Sequence, residues 1–93
     1  MKVIEQAELE TWLSDHPNWV LDSEEIVFEH KFDDFVAAFG FLSKVAILAE
    51  KHDHHPTITN TYAHVRLSMT THDAGNKVTD RDLNLAEAIE ELL

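Results

Sequence analysis

Apolar residues recur along this chain at two spacings, and the switches between them mark its elements. Leu9, Trp12 and Leu13 fall at i, i+3 and i+4, which predicts a short helix over Gln6 to Ser14, ended by Asp15, His16 and Pro17. Alternation takes over at Trp19. Trp19 to Leu21 and Ile26 to Phe32 read as two strands about a turn at Asp22 to Glu25. Ile26, Phe28 and Phe32 share one face, Glu29 and Lys31 the other, and His30 falls on the apolar face as a structural or edge histidine. Helical spacing then returns. Asp33 is placed as the N-cap with Asp34 in the first turn, and Phe35, Ala38, Phe39, Leu42, Val45, Ala46 and Ala49 step at three or four residues. This helix is expected to run to Lys51 or His52, because Pro56 disfavours a helical His55.

Beyond Pro56 the pattern alternates again. Ala63, Val65, Leu67 and Met69 point one way and His64, Arg66, Ser68 and Thr70 the other, with Ile58 to Tyr62 as the pairing strand. Asp73 to Lys77, holding Gly75 and Asn76, reads as a turn. Thr79 opens a last helix, where Asp82 takes the third position of a capping box and Leu83, Ala86, Ile89 and Leu92 or Leu93 form the inner face. Tyr62, the phenylalanines of the central helix and both tryptophans are expected in or at the core. The order is α-β-β-α-β-β-α. It predicts an α+β fold, a four-stranded antiparallel sheet with three helices packed on one face, in a single domain over residues 1–93.

Composition narrows the function classes. Eighteen acidic against seven basic residues give a formal net charge of -11, which repels phosphate backbones and anionic membranes and argues against direct nucleic-acid binding. The absence of cysteine removes disulfides, thiolate metal sites and cysteine nucleophiles. No run approaches the ~20 apolar residues of a membrane span, and the acidic start is unlike a signal or transit peptide. The expectation is a cytoplasmic protein.

Chemistry concentrates in Glu50 to Pro56, which hold three of the seven histidines. Imidazole alone among side chains gives and takes a proton near neutral pH at its ordinary pKa. Two adjacent histidines at a helix stop, beside Asp53 and Glu50, suit proton transfer. A metal site built on His52, His54 and His55 with Glu50 or Asp53 is the competing reading. It is disfavoured because no histidine pair has the i, i+4 spacing that shares one helix face. His72, near the hydroxyls of Ser68, Thr70 and Thr71, reads either as an incidental strand-end residue or as part of a rim for a hydrogen-bonding heterocycle.

Glu50-x-x-x-His54-His55-Pro56, five residues, Tyr62, nine residues, His72 and a downstream aspartate resemble the signature of the pterin-4a-carbinolamine dehydratase family. Phe39-Gly40-Phe41, Val45-Ala46, Ala49-Glu50-Lys51 and Arg81-Asp82-Leu83-Asn84-Leu85-Ala86 extend the resemblance over about Phe28 to Leu93. The resemblance implies a dehydratase without metal or cofactor that removes water from 4a-hydroxytetrahydropterin, the compound left by aromatic amino acid hydroxylases, to give quinonoid dihydropterin. It implies a homodimer or homotetramer. It also admits a non-catalytic reading, since animal members bind and dimerise a homeobox transcription factor. By the resemblance, His54, His55 and His72 are the catalytic set. His54 and His72 are the candidates for the proton transfers, with acid and base unassigned, and His55 is auxiliary. Asp53, His54, His55, Thr70, Thr71, His72 and Asp73 would contact the pterin, with Glu50, Pro56 and Asp82 behind them. Two departures stand out. The His72-to-Asp82 turn runs a residue longer than the commonest family form, with Asn76-Lys77 where glycine or leucine is frequent, so Asp80 competes with Asp82 as the supporting acid. Thr57 to Asn60 also lacks the aromatic residues often found after the proline.

Overall fold

The computed structural model describes residues 1–93. Its elements follow the expected order: α1 (Gln6–Asp15), β1 (Trp19–Asp22), β2 (Glu25–Lys31), α2 (Phe35–His52), β3 (Thr57–Thr61), β4 (His64–Met69) and α3 (Asp80–Glu90). The four strands form one antiparallel sheet in the spatial order β1-β2-β4-β3.

Register assigns the two sheet faces. Trp19, Phe28 and Leu67 lie side by side, as do Leu21, Ile26 and Met69, and alternation puts these rows on one face. Most of these side chains, with Val65, join a core cluster of 19 residues to which all three helices contribute, including Leu9, Trp12, Ala38, Phe41, Val45, Leu85 and Ile89. The other face bears exposed Val20, Glu29, Lys31, Thr59 and His64, with Arg66 paired to Asp22 and Glu29. Only small Val27 and Ser68 at its centre are buried there. No helix is long and apolar enough to cross a membrane.

The central helix corrects two expectations. Its N-cap is Asp34, not Asp33: Asp34 Oδ1 accepts the Ala37 N–H at 2.8 Å. Asp34→Ala should therefore cost about 1 kcal/mol and lower Tm by about 4–8 °C. Asp33→Ala should leave Tm in place; equal shifts in the two calorimetric melts would overturn the assignment. Second, α2 carries two apolar stripes rather than one. Ala38, Phe41, Leu42, Val45 and Ala49 face the core, whereas Phe35 and Phe39, expected inside, are more than half exposed together with Val36 and Ile47. Spacing of three or four cannot choose between neighbouring stripes when both are apolar. Tyr62, also expected in the core, is instead 82% exposed at the β3–β4 turn, with φ at 52°.

Candidate active site

Two chain reversals bring the singled-out histidines together. At the end of α2, Asp53 takes a left-handed conformation (φ 49°), which short acidic side chains tolerate better than most, and the His54 N–H closes back on Ala49 O at 3.0 Å. The chain leaves the helix there and presents His54 and His55. After β4, the Thr71 N–H donates to Lys77 O at 2.9 Å and a single 3-10 turn spans His72–Ala74. Gly75 and Asn76 follow with φ of 74° and 61°.

Asp53, His54, His55, Thr70, Thr71, His72, Asp73 and Arg81 line one open cavity of about 300 Å3. All seven residues expected to contact a ligand are among these eight. Arg81, an exposed cation in the first turn of α3, completes the lining and was not among the residues expected there. A smaller cavity of about 220 Å3 under Val3, Ile4, Leu9 and Val78 is mostly apolar and holds no histidine.

Each imidazole has one ring nitrogen engaged by a different side chain. His54 Nε2–H donates to Asp82 Oδ1 at 2.6 Å, in a contact where His54 is 9% and Asp82 0% exposed. His55 Nε2 lies 2.7 Å from Glu50 Oε1 on the surface. His72 Nδ1 lies 2.8 Å from Asn76 Oδ1. That leaves Nδ1 of His54, Nδ1 of His55 and Nε2 of His72 without protein partners.

Asp82 is the best supported of these groups. Its Oδ2 accepts from the Thr79 N–H and from Thr71 Oγ1–H, both at 2.8 Å. Thr71 Oγ1 in turn lies 2.7 Å from Thr79 Oγ1, which accepts the Arg81 N–H. The capping box expected at Thr79 is present, with Asp82 doing the work of the usual glutamate. The same carboxylate therefore starts α3 and holds His54. A buried charge is tolerated only when satisfied in this way.

The competing assignment of Asp80 is corrected. Asp80 Oδ1 accepts the Lys2 backbone N–H at 2.7 Å, beside the isolated bridge between Val3 and Thr79. That hydrogen bond, foremost among several, holds its carboxyl below the ordinary 3.8. No acid stands behind His72; Asn76, four residues on in the same turn, supplies the oxygen instead. Pro56 is half-buried next to His55. No three His, Asp or Glu side chains converge as a ligand set for a metal ion.

The family model described as pterin 4 alpha carbinolamine dehydratase matches residues 2–92. The chain belongs to the pterin-4a-carbinolamine dehydratase family. A provisionally named pterin-4-alpha-carbinolamine dehydratase of Prochlorococcus marinus (strain NATL2A) is 45% identical over 100% of this chain and 97% of its own length. One of Chloroflexus aurantiacus is 43% identical over 100% and 99%. The crystal structure of a transcriptional coactivator/pterin dehydratase from Brucella melitensis superposes with a TM-score of 0.88 at 35% identity, covering 96% of each chain. The fold of that structure is the fold of this pterin dehydratase family member.

Proposed function

We propose that this chain dehydrates 4a-hydroxytetrahydropterin to quinonoid dihydropterin by imidazole acid–base catalysis, without a metal. The observation that carries the reading is the set of three histidines around one polar cavity, each with one ring nitrogen held by another side chain. The reaction moves one proton onto the C4a hydroxyl and takes one from a ring nitrogen, while the C4a–O bond breaks and water leaves. His54 and His72 carry the two transfers, each through the nitrogen that its partner leaves free. Positioned groups of this kind contribute about 10²–10⁴-fold. Asp53 and Asp73 offer acceptors to the pterin 2-amino and N3–H donors, and Arg81 a donor to the ring carbonyl. The cavity volume stands at the small end of the ~300–1,000 Å3 range of ligand pockets, in keeping with a bicyclic substrate. A hydroxylase acting on aromatic amino acids would supply that substrate.

The test is a dehydration assay. The hydroxypterin is generated with a phenylalanine hydroxylase and its ultraviolet decay followed with and without chelator-treated protein. Accelerated decay, indifferent to chelator, is expected. No acceleration by folded protein would overturn the reading.

One observation favours a second reading, a protein-interaction module of the same fold. Phe35, Val36, Phe39 and Ile47 expose an apolar stripe on α2, interrupted at Ser43, which catalysis does not use. The same stripe suits association of identical copies into a dimer or tetramer. The two readings separate on histidine variants, which remove catalysis and spare contacts made through α2.

A further inference from the structure

The smaller cavity lies outside the histidine site and shares no residue with it. It measures about 220 Å3, and its apolar walls are Val3, Ile4, Leu9, Leu21 and Val78. The N-terminal segment forms one side, where the Ile4 N–H donates to Val78 O at 3.0 Å and Val3 bridges to Thr79. Ile4, Leu9 and Val78 are buried, yet Val3 and Leu21 remain nearly half exposed. Gln6, Glu24 and Lys77 are the polar residues of the lining. We propose that this cavity binds a free α-amino acid with an apolar side chain. The inference goes beyond the dehydratase reading and does not depend on it.

The walls set the side chain. An apolar cavity of about 150 Å3 can take a benzene molecule. The larger volume here accommodates one phenyl ring or one branched alkyl group and is too small for a cofactor. Entry of such a group removes water from the exposed faces of Val3 and Leu21. The rim sets the head group. Lys77 Nζ lies 3.6 Å from Glu24 Oε1, close enough to attract but too far for a hydrogen bond. Both side chains are more than half exposed, so their pairing contributes little and opens readily. An ammonium and a carboxylate carried on one carbon atom give each a hydrogen-bonding partner of opposite charge, the ammonium to Glu24 and the carboxylate to Lys77. Gln6 adds an acceptor: its Nε2 donates to Glu10 at 3.2 Å, which leaves Oε1 for the ammonium. A fatty acid would leave Glu24 without a partner, and it would approach against the chain's net charge of -11. An alkyl amine would leave Lys77 without one. A peptide terminus carries only one of the two charges.

Titrations followed through backbone amide NMR shifts test this with three probes. They are L-phenylalanine, hydrocinnamate, which lacks the ammonium, and phenethylamine, which lacks the carboxylate. Phenylalanine should give saturable shifts at Ile4, Leu9, Leu21 and Val78 and none at His54 or His55. It should bind at least about tenfold tighter than either analogue. Lys77→Met should weaken phenylalanine about tenfold and leave phenethylamine unchanged. Glu24→Gln should weaken phenylalanine about tenfold and leave hydrocinnamate unchanged. Melting curves at the wild-type position establish that both variants are folded. Equal affinity of the wild type for the three probes, or variants that weaken every probe alike, would overturn the proposal. So would an absence of saturable shifts at the cavity. Shifts there that follow protein concentration alone would overturn it too, and would give the apolar walls to a second copy of the chain. Each of these failures leaves the dehydratase reading standing.

Discussion

His54→Gln and His72→Ala should each lower kcat/KM for dehydration by about 10²–10⁴-fold. Glutamine is the informative replacement at His54. That residue is buried against Asp82, and alanine there would leave a carboxylate without one of its donors. The glutamine side-chain amide can still donate to Asp82 but cannot exchange a proton near neutral pH. A loss of activity at nearly unchanged Tm then reports chemistry rather than folding. His72 is exposed and its partner is the surface residue Asn76, so alanine removes the imidazole without hollowing the core. The double variant should be little worse than either single one, because residues acting as a unit do not add. Retention of wild-type kcat/KM by either single variant would remove that histidine from the proposed proton transfers. If both variants fail to catalyse and yet a partner bound through α2 is retained, the two uses of the fold are independent.

Much of this geometry was legible in the sequence because each element had its own signal. Helix and strand periods alternate cleanly, and caps or breakers such as Thr79 and Pro56 stand at the switches. The clustering of His54 and His55 with Thr70 to Asp73 was reachable only through resemblance, since about fifteen residues and a hairpin separate the two segments. Local periodicity contains no tertiary distance. The misses have physical causes. Phe35 and Phe39 also sit at helical spacing on an apolar stripe, and only packing against β4 and α3 decides between the two stripes. Tyr62 has the β propensity of a core aromatic, yet it occupies a tight turn between strands. Asn76 reads as generic turn chemistry. Its bond to His72 follows from two successive left-handed residues that fold its side chain back, a conformation with no residue-specific signature beyond Gly-Asn.

Asp82 should divide stability from activity when alanine and asparagine replacements are compared. Alanine removes the acceptor of three donors at once, His54 Nε2–H, the Thr79 N–H and Thr71 Oγ1–H, in a site with no access to water. Breaking a buried charged contact costs about 3–5 kcal/mol. For a chain of this size each kcal/mol lowers Tm by about 4–8 °C, so Asp82→Ala should melt at least ~12 °C below the wild type. Asparagine has another option. With its oxygen in the place of Oδ2 it still accepts from Thr79 and Thr71, and the helix start is kept. Its amide then stands at the Oδ1 position and donates to His54 Nε2, which must give up its hydrogen and become the acceptor. The hydrogen moves to Nδ1, and the nitrogen left free by Asp82 changes from acceptor to donor. Tm should fall by no more than a few degrees, while kcat/KM drops by a factor on the order of 10²–10⁴, as expected when a tautomer is reversed around an intact site. Asp82→Asn retaining full activity would show that Asp82 only caps the helix and does not position His54.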